Sequence, residues 1–285
     1  MMQRIGTAVI GIPVGLAFVY WGAWPFTIFV LSLAVVGLWE FSSALRMKEI
    51  ELIKEIAFPC VLVALVVAYC WPGAIVHLWG ALWFSVVFGS LMFHIFIRRG
   101  QEIGVPSGWR TASVGGTVLG TLYVGLFSFV ILLRNLDTES VMVSGLGVEL
   151  SLGARLLFLL LLATWTTDAT AYFVGKLIGK HKIAPEVSPG KTWEGACSGF
   201  VGAVIVVALM GAWFKFDWLD ALFLSLIVGV AGQVGDLCKS VIKRDVGVKD
   251  FGVLIPGHGG VLDRFDSLLI NTPLVYLYAQ VALMA

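Results

Sequence analysis

Nine runs of mostly apolar residues succeed one another along the 285-residue chain, at 5–21, 26–39, 56–71, 75–97, 115–133, 150–174, 195–214, 219–237 and 265–285. A helix needs about 20 such residues to cross the hydrocarbon core of a bilayer. The second and third runs are short, so a re-entrant pair or an extension into the flanks is open there. Little remains between the runs from which to build a water-facing surface. Of all residues 59% are hydrophobic and 13% charged, against about half and about a quarter in soluble domains. The excess must face lipid. The expected fold is all-α: a polytopic integral membrane protein with about nine transmembrane helices. One membrane domain covers 1–285, with amino-terminal spans over 1–160 and a second group of spans and cytoplasmic loops over 160–285.

The basic residues alternate with the runs. The amino terminus and every second loop carry Arg4; then Arg46, Lys48 and Lys54; then Arg98, Arg99 and Arg110; then Lys176, Lys180, Lys182 and Lys191; and finally Lys239, Lys243, Arg244, Lys249 and Arg264. That is sixteen of the 19 Lys and Arg residues, and the opposite side receives only Arg134, Arg155 and Lys215. Cytoplasmic loops collect positive charge, which puts the amino terminus in the cytoplasm and the carboxyl end outside; the cytoplasmic (inner) membrane is the expected location. A wrong count of spans would scramble the alternation. Run 5–21 follows a single Arg4 and continues into Trp24-Pro25-Phe26 without a convincing cleavage site, so it reads as a first span rather than a signal peptide.

Several function classes fall away. A formal net charge of +1 offers nothing to nucleic acid. Cys60, Cys70, Cys197 and Cys238 form no CxxC pair and suit small residues packed among helices. Segment 42–56 mixes Leu45, Ile50, Leu52 and Ile53 with Arg46, Lys48, Glu49, Glu51 and Lys54. It fits an interfacial amphipathic helix or a solvated connector.

Charge inside or beside the membrane begins after about residue 160. Asp168 sits within an apolar run, where a carboxylate normally faces a polar cavity or a partner helix. Helical steps place it on one face with Thr164, Thr167, Ala171, Tyr172 and Gly175. The following loop holds Lys180, His181, Lys182, Ser188, Pro189, Gly190, Lys191, Thr192 and Glu194. Gly-Lys-Thr suggests a Walker A loop, but the glycine required five places before Gly190 is Pro185. A basic segment leading into a helix amino terminus still suits phosphate, although a basic loop facing the membrane has the same composition.

The densest signal runs from Gly235 to Asp266: GDLCKSVIKRDVGVKDFGVLIPGHGGVLDRFD. Asp236, Lys239, Ser240 and Lys243 share a helical face. Gly257, Gly259 and Gly260 permit backbone conformations closed to other residues and a close ligand approach. Asp263 and Asp266 open the last span one turn apart. Carboxylates beside basic residues and a glycine-rich turn suit a magnesium-bound polyphosphate, since magnesium combines one or two carboxylates with water and substrate phosphates. Helix capping alone explains Asp263 or Asp266, but not Asp236, His258, three glycines and five basic residues together.

These residues resemble the CDP-diacylglycerol synthases, or phosphatidate cytidylyltransferases. That signature runs Ser-x-apolar-Lys-Arg, four residues, Lys-Asp, then a stretch ending His-Gly-Gly-apolar-x-Asp-Arg-apolar-Asp. It is met by Ser240, Lys243, Arg244, Lys249, Asp250, His258, Gly259, Gly260, Asp263, Arg264 and Asp266. Asp168, Tyr172, Gly175, Ser188, Pro189, Lys191, Thr192, Glu194 and Gly195 look like a second block, so the resemblance covers roughly 160–275. Two positions depart from it: Gly190 where a second lysine is frequent, and Lys239 where an acidic residue is common.

The resemblance implies a reaction of CTP with phosphatidic acid to give CDP-diacylglycerol and pyrophosphate. It implies magnesium on Asp236 and Asp263, with a second cation left open. Lys191, Lys243, Arg244 and Lys249 hold phosphates in this reading, with Ser188, Thr192, Ser240, Gly259, Gly260 and Arg264 also at the substrates. His258 ligates, orients or binds pyrophosphate, or is structural. Asp168 and Asp266 stand behind them. Lys239 either faces the metal or snorkels to headgroups. Membrane lipid is a partner, and a homodimer is left open. The alternatives are another CTP-dependent lipid enzyme, such as a polyprenol kinase, and an ion-coupled transporter. The transporter predicts inverted repeats, and the sequence has none.

Overall fold

The computed structural model describes residues 2–96, 107–136, 140–143, 147–252, 254 and 259–284. Its helices are α1 (Met2–Trp21), α2 (Ala23–Arg46), α3 (Lys54–Cys70), α4 (Ile75–Phe96), α5 (Ser107–Gly125), α6 (Phe127–Arg134), α7 (Leu152–Ile178), α8 (Trp193–Trp213), α9 (Trp218–Leu226), α10 (Gly232–Asp245) and α11 (Val261–Tyr278). A π-helical turn, Ile227–Ala231, joins α9 to α10. Among the described residues each apolar run thus falls mostly on helix, and the chain is an all-α membrane protein.

The count of about nine spans is not reproduced. Among the described residues five helical stretches are long and apolar enough to cross a membrane: Ala23–Arg46, Thr111–Arg134, Leu152–Ile178, Trp193–Trp213 and Trp218–Asp245. The shortfall has local causes. Helix α3 has 17 residues and opens on Lys54 and Glu55. Helix α11 has 18 residues, of which Asp263, Arg264 and Asp266 are charged. Within α1 and α4, Val9–Trp21 and Trp79–His94 are apolar.

Two small antiparallel hairpins interrupt the helices, β1 (Val141–Val143) with β2 (Val148–Leu150) and β3 (Lys182–Ala184) with β4 (Ser188–Thr192). Strands of three to five residues in loops carry too little alternation to be read from sequence.

The chain divides into two compact units interleaved in sequence, one of residues 1–10, 24–132 and 245–264, the other of 11–23, 133–244 and 265–285. In the first unit α5 lies close to α2, where a Cβ on Gly120 would meet the Phe41 ring at 2.7 Å. Segment 42–56 is not an interfacial helix. Its first part continues α2, Met47–Glu49 forms a turn, and residues 50–53 run extended into α3. The Ile53 N–H donates to Thr117 Oγ1 at 2.9 Å, and Leu52 and Ile53 are buried. Their apolar side chains find protein instead of the lipid surface.

In the second unit α7 and α8 pack through small residues. A Cβ added to Gly195, Gly199 or Gly202 would lie 2.7 Å from Ala171 O, 3.0 Å from Thr167 O and 2.6 Å from Thr170 Oγ1, respectively. Ser198 Oγ donates to Thr170 O at 3.1 Å. Close backbones and interhelical hydrogen bonds are how helices adhere where no hydrophobic effect separates helix from solvent.

Candidate active site

Helix α10 places one polar face inward. Gly232, Gly235, Lys239, Ser240 and Lys243 are buried along it, the face that the spacing of Asp236, Lys239, Ser240 and Lys243 predicts. Two glycines allow the approach. A Cβ on Gly235 would sit 2.8 Å from Ile270 Cγ1, and one on Gly232 would sit 2.7 Å from Asn271 Nδ2. Asn271 Nδ2 in turn donates to Thr164 Oγ1 on α7 at 3.4 Å. Ser240 Oγ is turned back to its own helix and donates to Asp236 O at 2.8 Å.

The charges on this face form a row. Lys191 Nζ lies 2.8 Å from Asp236 Oδ2, and Lys239 Nζ lies 3.0 Å from Asp236 Oδ1. Lys239 Nζ also donates to Asp266 Oδ2. Asp266 Oδ1 accepts the Ser267 N–H at 2.6 Å. Lys191 Nζ has a second acceptor in Gln233 O at 3.1 Å. Asp168 lies in the same field, within electrostatic reach of Asp266, Asp236, Lys191 and Lys239. Three carboxylates thus share two ammonium groups. Lys191, Asp236, Lys239 and Asp266 are ion-paired in succession, so the enclosed charges among them have partners; Asp168 is exposed and acts on them through the field alone. Lys239 does not snorkel: its side chain is only 6% exposed and bridges two carboxylates.

Other predicted site residues of this unit lie on hairpin β3–β4 and the end of α10. Ser188 and Lys191 belong to β4, and the Thr192 hydroxyl caps α8 by accepting the Gly195 N–H at 3.2 Å. Lys243 is buried and Arg244 exposed; Arg244 Nε donates to Val187 O at 3.1 Å, fixing the hairpin turn to α10. Glu194 Oε1 meets His181 Nδ1 at 2.7 Å across the hairpin base.

The first unit holds the rest. Asp263 Oδ2 accepts the N–H of Phe251 at 2.8 Å and of Gly260 at 3.3 Å. Gly259 has φ +86°, a conformation that favours glycine. Lys249 and Arg264 are exposed. His258 lies outside the described residues. A residue that the sequence reading passed over stands behind this turn. Glu40, fully buried on α2, accepts the N–H of Val261 at 3.0 Å and of Leu262 at 3.1 Å. Its signal in the sequence is a lone carboxylate one residue past the apolar run 26–39, while α2 continues to Arg46.

Among the described residues no group of three or more His, Cys, Asp or Glu is arranged to hold a metal ion. The donor chemistry at Asp236 still fits one magnesium ion, whose shell is completed by water and phosphate. It does not fit a second ion between Asp236 and Asp266, because the Lys239 ammonium stands there.

Residues 2–282 match the model of the cytidylyltransferase family. The phosphatidate cytidylyltransferase of Bacillus subtilis is 34% identical over 97% of this chain and 96% of its own length. That of Synechocystis sp. is 32% identical over 99% and 97%. That of Staphylococcus saprophyticus is 44% identical over a shorter stretch, 43% of this chain and 48% of its own.

Proposed function

The chain belongs to the cytidylyltransferase family, and from that membership we propose that it converts CTP and phosphatidic acid into CDP-diacylglycerol and pyrophosphate. The observation that carries this reading is the near-full-length identity to proteins of that activity. In the reaction a phosphate oxygen of the lipid attacks the α-phosphorus of CTP, and the bond to the β-phosphate oxygen breaks. Phosphatidate is already ionised, so no dedicated base is needed. Both substrates are anionic, and stabilisation must come from positive charge fixed in place beforehand. Lys191, Lys243, Arg244 and Lys249 supply it and contact phosphates, and Arg264, Gly259, Gly260 and Ser188 are assigned to the same substrates. Magnesium, when bound, would neutralise charge on the triphosphate. Asp236 would hold it, exchanging Lys191 for the metal rather than Lys239, since Lys191 is the more exposed ammonium at 24% against 6%. Purified protein should form CDP-diacylglycerol from CTP and phosphatidate only when magnesium is present. CTP consumption with a polyprenol and none with phosphatidate would favour the kinase alternative.

The reading extends to nine crossings, with the amino terminus and hairpin β3–β4 in the cytoplasm. The support is the sixteen-to-three distribution of basic residues. With the four native cysteines replaced, a cysteine at Gly145 should react with an impermeant maleimide added to intact cells. One at Ala184 should react only after the cells are opened. Reaction of both from the same side overturns the orientation.

A further inference from the structure

We infer that Glu40, on the membrane-spanning helix α2, is a positioning residue that fixes the start of α11 and with it Gly260 and Asp263. A carboxylate enclosed in protein is costly unless its oxygens are hydrogen-bonded or paired, so its presence at 0% exposure asks for a reason. Its partners are the first two N–H groups of α11, which no helix can satisfy internally and which carry the positive end of the helix dipole. A Ser, Thr or Asp directly before the helix normally supplies that service; here residues 259 and 260 are glycines. The cap comes instead from a residue 221 positions away.

The surroundings are built around this contact. A Cβ on Gly260 would lie 2.5 Å from Glu40 Oε2, and one on Gly252 would lie 2.6 Å from Glu40 Cδ. One turn earlier on α2, a Cβ on Gly37 would meet Leu262 Cδ2 at 2.9 Å. Phe41 stacks on Phe251 with ring centroids 5.6 Å apart. Asp263 Oδ2, by accepting from Phe251 and Gly260, ties the two ends of the 251–260 segment. Two neighbouring carboxylates therefore take the N–H groups of residues 251, 260, 261 and 262. They do so although like charges repel, which indicates that position rather than local stability is what the pair secures. The inference rests on the proposed reading in one respect only, that Asp263 and Gly260 serve the reaction.

Glu40→Gln keeps the shape but turns an amide donor toward one N–H group. Hydrogen exchange at Gly260, Val261 and Leu262 should speed up in this variant while the remainder of α2 stays protected. The ratio kcat/KM should fall on the order of 10²-fold, the usual cost of a misplacement near 1 Å, with Glu40→Asp intermediate. The double variant Glu40→Gln/Asp263→Asn should be no worse than its poorer parent, because the two carboxylates act on one segment. Unchanged exchange at residues 260–262 overturns the anchor, whatever the enzyme's substrate proves to be. Faster exchange with wild-type kcat and KM per folded molecule overturns the positioning role and leaves a structural cap. A wild-type protein that turns over no CTP removes the proposed function, while the exchange result still decides for or against the anchor.

Discussion

Asp236→Asn is expected to lower CDP-diacylglycerol formation by about 10²–10³-fold, the range found when one preorganised charge-stabilising group is removed. Asparagine has the size of aspartate without its charge. The substitution withdraws the carboxylate that faces both Lys191 at 2.8 Å and Lys239 at 3.0 Å. Lys239 keeps Asp266 and Lys191 keeps the Gln233 carbonyl, so the packing of α10 survives. On the proposed reading, what is lost is a carboxylate that would hold magnesium and the alignment of Lys191 toward phosphate. The protein should insert, purify and unfold near the wild-type temperature, and the defect should appear in turnover at saturating CTP. Turnover within threefold of wild type, in protein of normal stability, would remove Asp236 from the active site.

Replacing Lys239 should produce the largest change in stability. Its ammonium is the shared partner of Asp236 and Asp266 and is almost wholly enclosed. Lys239→Met leaves two carboxylates facing each other with no cation between them. Breaking a buried ion pair from one side costs about 3–5 kcal/mol. Lys239→Glu adds a third carboxylate to the same space. In the absence of divalent ions it should be less stable than wild type. With magnesium its thermal midpoint should rise more than that of wild type, because a ligand that binds only the folded state stabilises it. Its half-maximal activity should occur at lower magnesium. Superimposed magnesium titrations of the two proteins, in unfolding and in turnover alike, would show that Lys239 does not occupy a cation position.

These two residues mark where sequence reading reached and where it stopped. Spacing put Asp236, Lys239, Ser240 and Lys243 on one helical face, and they lie on one. It left the direction of Lys239 open, because a lysine near a helix end can run its stem to the headgroups or curl inward. The choice was made by Gly232 and Gly235, which bring α11 close enough for Asp266 to receive the ammonium. Glu40 was missed for a related reason. A single carboxylate at the end of an apolar run has no motif around it, and its partners lie 221 and 222 residues away.

Apolar runs of span length and a one-sided distribution of Lys and Arg determined from sequence alone that the chain is a helical membrane protein. Lipid leaves a backbone no other way to satisfy its polar groups over such lengths except a closed barrel. The fixed spacing of Ser240, Lys243, Arg244, Lys249, Asp250, His258, Asp263, Arg264 and Asp266 was likewise enough to indicate the family, since such spacing is a property of the linear chain. Tertiary structure alone decided the interleaving of two units, with 245–264 joined to 24–132 and not to its sequence neighbours. It alone decided that the connector at 50–53 is buried, that β3 and β4 pair, and that Glu40 caps α11. The buried connector and the cap depend on glycines, since Gly116 and Gly120 leave room for Ile50 and Leu52, and Gly252 and Gly260 leave room for Glu40. A sequence displays the glycine but not the partner that fills the space it leaves.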